Sequence, residues 1–130
     1  MKTIAQQLKI KVFPFSIKDS NGKEIYSESS HGFWEKREYD SNGKEIYADN
    51  SKGFWSKREY DSNGNQIYFE NSNGYWSKSE YDSHGNQIYY ENSDGKIRDN
   101  RPKTETEIQK AIELLTKEGL LVDGKIIIIK

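Results

Sequence analysis

The chain has 130 residues, enough for one domain, with 20 basic and 21 acidic side chains and a net charge of -1. Interspersed charge without a polybasic run argues against nucleic-acid and membrane-surface binding, and the absence of cysteine excludes disulfides and thiol chemistry. Apolar content is low, yet nine Tyr, five Phe and three Trp recur on a schedule, so the chain reads as folded with little conventional core.

Residues 1 to 15 hold no long apolar stretch behind positive charge, so neither a secretory leader nor a membrane span is read, and a cytoplasmic location is expected. Thr3 to Ile10 reads as a short helix with Ile4 and Leu8 on one side. A 21-residue unit then repeats: Tyr39-Asp40-Ser41-Asn42-Gly43 returns as Tyr60-Asp61-Ser62-Asn63-Gly64 and as Tyr81-Asp82-Ser83-His84-Gly85, with Asp19-Ser20-Asn21-Gly22 a fainter first copy. Four cycles span residues 11–31, 32–52, 53–73 and 74–94, and a fifth breaks off at 102. Stacked copies of one small unit place function on a repeated surface.

Within a cycle, two runs rich in aromatic and β-branched residues flank Asn-Gly, the signature of a β-hairpin with a type I′ turn. A second Asn/Ser/Gly cluster returns the chain, giving an antiparallel meander of eight or nine short strands over residues 11–102. Side chains alternate with period two, so an odd repeat with two identical two-residue turns would flip equivalent residues to the opposite face at each cycle. A parity-restoring element is therefore expected, a longer loop or a G1 bulge, at the Asn-Ser-x-Gly turn.

Pairing across Asn42-Gly43 sets Glu38 opposite Tyr47 and Tyr39 opposite Ile46. One face then carries Phe33, Arg37, Tyr39, Ile46 and Ala48, followed by Phe54, Tyr60, Ile67 and Phe69. It is the more apolar and is assigned to the interior. The other carries Trp34, Lys36, Glu38, Tyr47 and Asp49, followed by Trp55, Lys57, Glu59, Tyr68 and Glu70. Trp and Tyr beside positive charge are typical binding anchors, although they also stabilise solvated sheets. The candidate partner-binding residues are Trp34, Lys36, Tyr47, Trp55, Lys57, Tyr68, Trp76, Lys78 and Tyr89.

After Pro102, Thr104-Glu105-Thr106-Glu107 has the form of a capping box, with Ile108, Ala111, Ile112 and Leu115 at helical spacing and Gly119 as the stop. Leu120 to Val122, Asp123-Gly124 and Lys125 to Ile129 read as a hairpin apolar on both faces of its second strand. Residues 103–130 are thus expected to cap the meander and supply its best-packed core, within one domain of residues 1–130. A helix before a hairpin also resembles the second half of a winged-helix DNA-binding domain, but this helix carries four Glu against two Lys.

Asp61-Ser62-Asn63-Gly64-Asn65 has the oxygen-rich look of a calcium loop, yet its glycine is fourth, where an EF-hand needs it sixth, and a hairpin turn explains the same residues. His31 and His84 both fall in turns without a repeated neighbouring ligand. With no phosphate loop or nucleophile motif, no enzymatic activity and no cofactor or metal are expected.

Glu-Tyr-Asp-Ser-Asn-Gly-Asn-Gln-Ile-Tyr resembles the YD repeats of RHS proteins, whose large β-shells need far more than 130 residues. Tyr89-Tyr90-Glu91-Asn92-Ser93-Asp94-Gly95 resembles choline-binding and glucan-binding hairpins, which build aromatic cages in exported proteins. Over residues 3 to 102 the chain is most similar to small uncharacterised repeat proteins of bacteriophages and their hosts. They combine a beginning like Thr3-Ile4-Ala5-Gln6-Gln7-Leu8, several Tyr-Asp-x-x-Gly-Asn cycles and an Asp99-Asn100-Arg101-Pro102 exit.

The sequence therefore reads as mainly β: an antiparallel meander of hairpin repeats in a single twisted sheet, with a small C-terminal helix and hairpin. The expected role is non-enzymatic protein binding. The phage resemblance implies a modulator or inhibitor of a host defence protein, acting in the host cytoplasm. The alternatives are aromatic cages for a carbohydrate, choline-like cation or nucleotide, and a structural or virion role with self-association through edge strands.

Overall fold

The computed structural model describes residues 2–119, together with the strand backbones of residues 121–122 and 125–126. Two units divide at Asp99/Asn100. The first contains α1 (Ile4–Leu8) and β1 (Phe15–Lys18), β2 (Glu24–Glu28), β3 (Trp34–Tyr39), β4 (Glu45–Asn50), β5 (Trp55–Tyr60), β6 (Gln66–Asn71), β7 (Trp76–Tyr81), β8 (Gln87–Asn92) and β9 (Ile97–Asp99). These nine strands form one open antiparallel sheet in chain order, the expected meander.

The turns differ from the expected type I′ geometry. In Asp40–Gly43 only the glycine has a positive φ, 81°. The loop closes by Gly43 N–H donating to the Asp40 carbonyl at 3.0 Å and Asp40 N–H donating to the Lys44 carbonyl at 2.8 Å. Asp40 Oδ1 accepts the N–H groups of Asn42 and Lys44, both at 2.9 Å, which makes the aspartate the organiser of the turn. Asn50–Gly53 repeats this pattern, with Asn50 Oδ1 accepting from Lys52 and Phe54. The two turns of a cycle are therefore built alike, and neither alone breaks the parity.

Parity is restored one residue further in, beside the Asp turn and not at the Asn-Ser-x-Gly turn. Glu38 pairs with Tyr47 as expected, but Tyr39 pairs with Glu45, leaving Ile46 as an extra residue in β4. The same shift leaves Ile25, Ile67 and Ile88 extra in their strands. The isoleucine of every cycle is thus a bulge residue, and it keeps equivalent side chains on one face.

Among the described residues of the sheet, neither face is buried as an interior. Phe54, assigned there from sequence, is 40 % exposed, and the face it shares carries an ion-pair ladder. Glu45 accepts Arg37 at 3.2 Å and Arg58 at 2.6 Å, while Arg37 also reaches Glu35 at 2.7 Å. Arg58 lies over the Phe69 ring at 5.0 Å. Counting apolar residues per face misassigned it, because half-exposed guanidinium-carboxylate pairs need no second layer. Among the described residues the only buried apolar side chains are Ala5 and Tyr26. Stability of the sheet therefore rests on its backbone ladder and on cross-strand pairs worth roughly 0.2–1 kcal/mol each.

The second unit contains α2 (Glu105–Lys117) and a pair of two-residue strands, β10 (Leu121–Val122) and β11 (Lys125–Ile126). The capping box is present: Thr104 Oγ1 accepts Glu107 N–H at 3.1 Å, and Glu107 Oε2 accepts Thr104 N–H at 3.2 Å. Gly119, with φ 74°, follows the C-cap. No side chain of α2 is buried, and Ile108 is 46 % exposed. The side chains of the four-isoleucine run lie outside the described residues.

Candidate functional site

Because directly opposed residues share a face, the register fixes which side chains lie together. Tyr26, Lys36, Asp49 and Trp55 are successive partners across four strands; Glu38, Tyr47, Lys57, Glu70 and Trp76 follow across five, then Glu59, Tyr68, Lys78, Glu91 and Ile97. Glu28 opposes Trp34, and Tyr89 opposes Glu80 and Asp99. All nine candidate residues therefore occupy one face. Trp55 stands in line with Lys36, two residues beyond its own counterpart Trp34, so equivalent residues run diagonally across the strands.

Each Trp holds a Lys of its own strand over its ring: Lys36 Nζ lies 5.8 Å from the Trp34 ring centroid, Lys57 Nζ 5.2 Å from Trp55 and Lys78 Nζ 5.3 Å from Trp76. The two-residue spacing places both on the same face of a strand, and the ring quadrupole attracts the ammonium. The Trp residues are half-buried and the Lys residues exposed. Among the described residues none of these three Lys forms an ion pair with a carboxylate.

Tyr residues of the even strands pair with acids two residues on. The hydroxyls of Tyr26, Tyr68 and Tyr89 donate to Glu28 at 2.8 Å, Glu70 at 3.2 Å and Glu91 at 2.8 Å. Asp49 is one methylene shorter and Tyr47 makes no such bond to it; Asp49 Oδ1 is buried without a hydrogen-bond partner among the described residues. Burial, followed by the charges of Asp49 and Glu38, raises the Tyr47 pKa; burial, then the Glu70 charge and hydrogen bond and the Glu59 charge, raises that of Tyr68. Both phenols stay protonated near neutral pH. The bulge residue Ile46 lines a shallow groove with Glu38, Tyr47, Lys57 and Glu59 and with Arg58 and Tyr60.

The first cycle is covered. Its Glu28 is 2 % exposed, and Oε2 accepts the Thr3 hydroxyl at 2.6 Å while Oε1 accepts Ala5 N–H at 3.1 Å and the Tyr26 hydroxyl. Burial pushes this carboxyl up, but the hydrogen bonds from Thr3, Ala5 and Tyr26 outweigh it and hold the pKa below the ordinary value. Tyr26 packs between Phe15, edge-on at 6.2 Å, and Trp34, stacked at 6.3 Å. Burial, with Glu28 adding its hydrogen bond and charge, pushes the Tyr26 phenol up to about 12. Ile4 and Leu8, the expected apolar side of α1, are 39 % and 61 % exposed; Ala5 is the buried residue.

Sequence reasoning placed Asp49 and Glu70 on this face without counting them among the candidate residues, and it passed over the serines of the second turn. Ser51, Ser72 and Ser93 each accept the N–H of Trp34, Trp55 or Trp76 at 3.1 Å and donate their own N–H to that Trp carbonyl. Their constant place after Asn in Asn-Ser-x-Gly was the available signal. In the loop considered for calcium, Asp61 Oδ1 accepts the N–H groups of Asn63 and Asn65. The Asn65 N–H is the main cause holding this carboxyl below its ordinary pKa.

Among the described residues no helix is long and apolar enough to cross a membrane. No protein-family model and no curated protein matches the chain.

Proposed function

We propose that the Trp/Lys/Tyr face is a non-enzymatic protein-binding surface, repeated cycle by cycle along the meander. One observation carries this reading: three exposed Lys, each seated on a half-buried Trp and flanked by Tyr, lie on a single face at a 21-residue period. Such amphipathic anchors are pre-ordered by the sheet, so little side-chain entropy is lost when a partner covers them. A cage for a choline-like cation is less well supported, since the chain's own Lys already occupies the ring of each Trp. The similarity to phage repeat proteins extends the proposal to a modulator or inhibitor of a host defence protein.

Affinity capture from a bacterial lysate tests the surface. A specific partner should be lost with the triple variant Lys36→Glu, Lys57→Glu, Lys78→Glu and retained with Arg98→Glu, which lies on the opposite face. A partner indifferent to the triple charge reversal, in protein with an unchanged melting temperature, removes this face from the function.

A further inference from the structure

Among the described residues, the first of the Tyr/acid pairs on this face has an occupant. The first turn of α1 sits on Tyr26 and Glu28: the N-cap Thr3 hydroxyl and the Ala5 N–H, two residues into the helix, both donate to the Glu28 carboxylate. One carboxylate thereby satisfies a capping hydroxyl and a helix N–H that has no acceptor within the helix.

Two repeats later, Tyr68 and Glu70 stand in the same relation, with Trp76 opposite Glu70 as Trp34 is opposite Glu28. Glu70 accepts only the Tyr68 hydroxyl, at 3.2 Å, among the described residues and is half-buried. Two flanking positions change character. Phe15, opposite Glu28, is replaced by Lys57, and Ile17, opposite Tyr26, is replaced by Glu59. Ile4 of α1 shares a groove with Ile17 and Tyr26, so the apolar first cycle suits its own helix, whereas the later site is charged where that helix is apolar.

We propose that the Tyr68/Glu70 site binds the first turn of a helix in a partner protein, one with a Ser or Thr N-cap and a basic residue at the first helical position. The hydroxyl and a backbone N–H meet Glu70 as Thr3 and Ala5 meet Glu28. The basic residue meets Glu59 where Ile4 meets Ile17, and the positive end of the helix dipole faces both carboxylates. This inference rests on the protein-binding reading above and specifies its chemistry.

Amide and side-chain NMR of the full chain, titrated with an acetylated peptide of residues 2–10 in which Ile4 is replaced by Lys, tests the site. Shifts should gather at Lys57, Glu59, Tyr68, Glu70 and Trp76. The Lys-bearing peptide should bind more tightly than the native one, and Thr3→Val in the peptide or Glu70→Gln in the protein should each weaken binding about tenfold, as expected for a lost charge-assisted hydrogen bond. The Glu70→Gln protein must keep the native melting curve. Shifts confined to α1 and Glu28, no shifts, or shifts indifferent to Glu70→Gln overturn the proposal. A lysate partner lost on Lys reversal but untouched by Glu70→Gln leaves the binding face standing and overturns this helix-end chemistry alone.

Discussion

Glu28 holds Thr3: across 25 residues of sequence the threonine hydroxyl donates to a carboxylate that is 2 % exposed, at 2.6 Å. Replacing the acid by Glu28→Gln leaves an amide where both oxygens now accept, so at least one donor loses its partner. The expected cost is about 1–3 kcal/mol, localised to α1 docking. Hydrogen exchange at the Ala5 amide should accelerate, while exchange in β5 to β8 stays at its native rate.

The same carboxylate gives the docking a pH dependence at both ends. The folded pKa of Glu28 lies below its unfolded value, so its contribution is complete above the unfolded pKa and is lost as pH falls through the folded one. The Tyr26 phenol is raised from 10.0 to about 12, so its contribution is complete below 10 and is lost as pH rises toward 12. Trp34, stacked on Tyr26, reports both limits by fluorescence. Glu28→Gln should remove the acid transition; an unchanged acid transition in that variant assigns it elsewhere.

Turn glycines should differ in cost although their backbones are alike. Gly64 and Gly85 have φ near 85° and 83°, strained for any residue with a Cβ. A Cβ on Gly64 would meet Lys44 Cε at 3.1 Å, whereas nothing lies within 4 Å of one on Gly85. Lys44 reaches across to the Tyr60 ring at 5.2 Å, and an alanine would displace it. Both alanine variants should lose roughly 1–2 kcal/mol to backbone strain, and Gly64→Ala about 0.5 kcal/mol more for the lost cation-ring contact. Urea denaturation of the pair measures the difference.

The common face of Trp34, Trp55 and Trp76 was legible because an odd period demands a compensating residue. Its location was not legible: both turns end in glycine with the same backbone geometry, so only the strand register distinguishes a bulge at Ile46 from one beside Asn50. Alternation assigns no face to Ile46 or Ile67, since it cannot pass through a bulge. The role of Glu28 was hidden for a different reason. In sequence it is one more acid two residues after a Tyr, like Glu70 and Glu91, and only a helix packed from residues 3 to 8 makes it special. The replacements of Lys by Phe15 and Glu by Ile17 in the first cycle were the visible hint that this cycle is covered.

Serine clamps offer a test of how independently the cycles behave. Ser72 grips the Trp55 backbone through both its hydroxyl, at 3.1 Å, and its N–H, at 2.9 Å; Ser51 and Ser93 do the same for Trp34 and Trp76. Alanine removes the hydroxyl bond and leaves the backbone one, so each substitution should cost about 0.5–1 kcal/mol. The three sites share no partner, so their costs should add to within about 0.5 kcal/mol if each hairpin contacts only its neighbours. Urea denaturation of the single variants and the triple variant Ser51→Ala, Ser72→Ala, Ser93→Ala measures this. A triple variant far less stable than the sum would show that the Trp strands are coupled along the sheet, through the diagonal of Lys and acid partners that joins them.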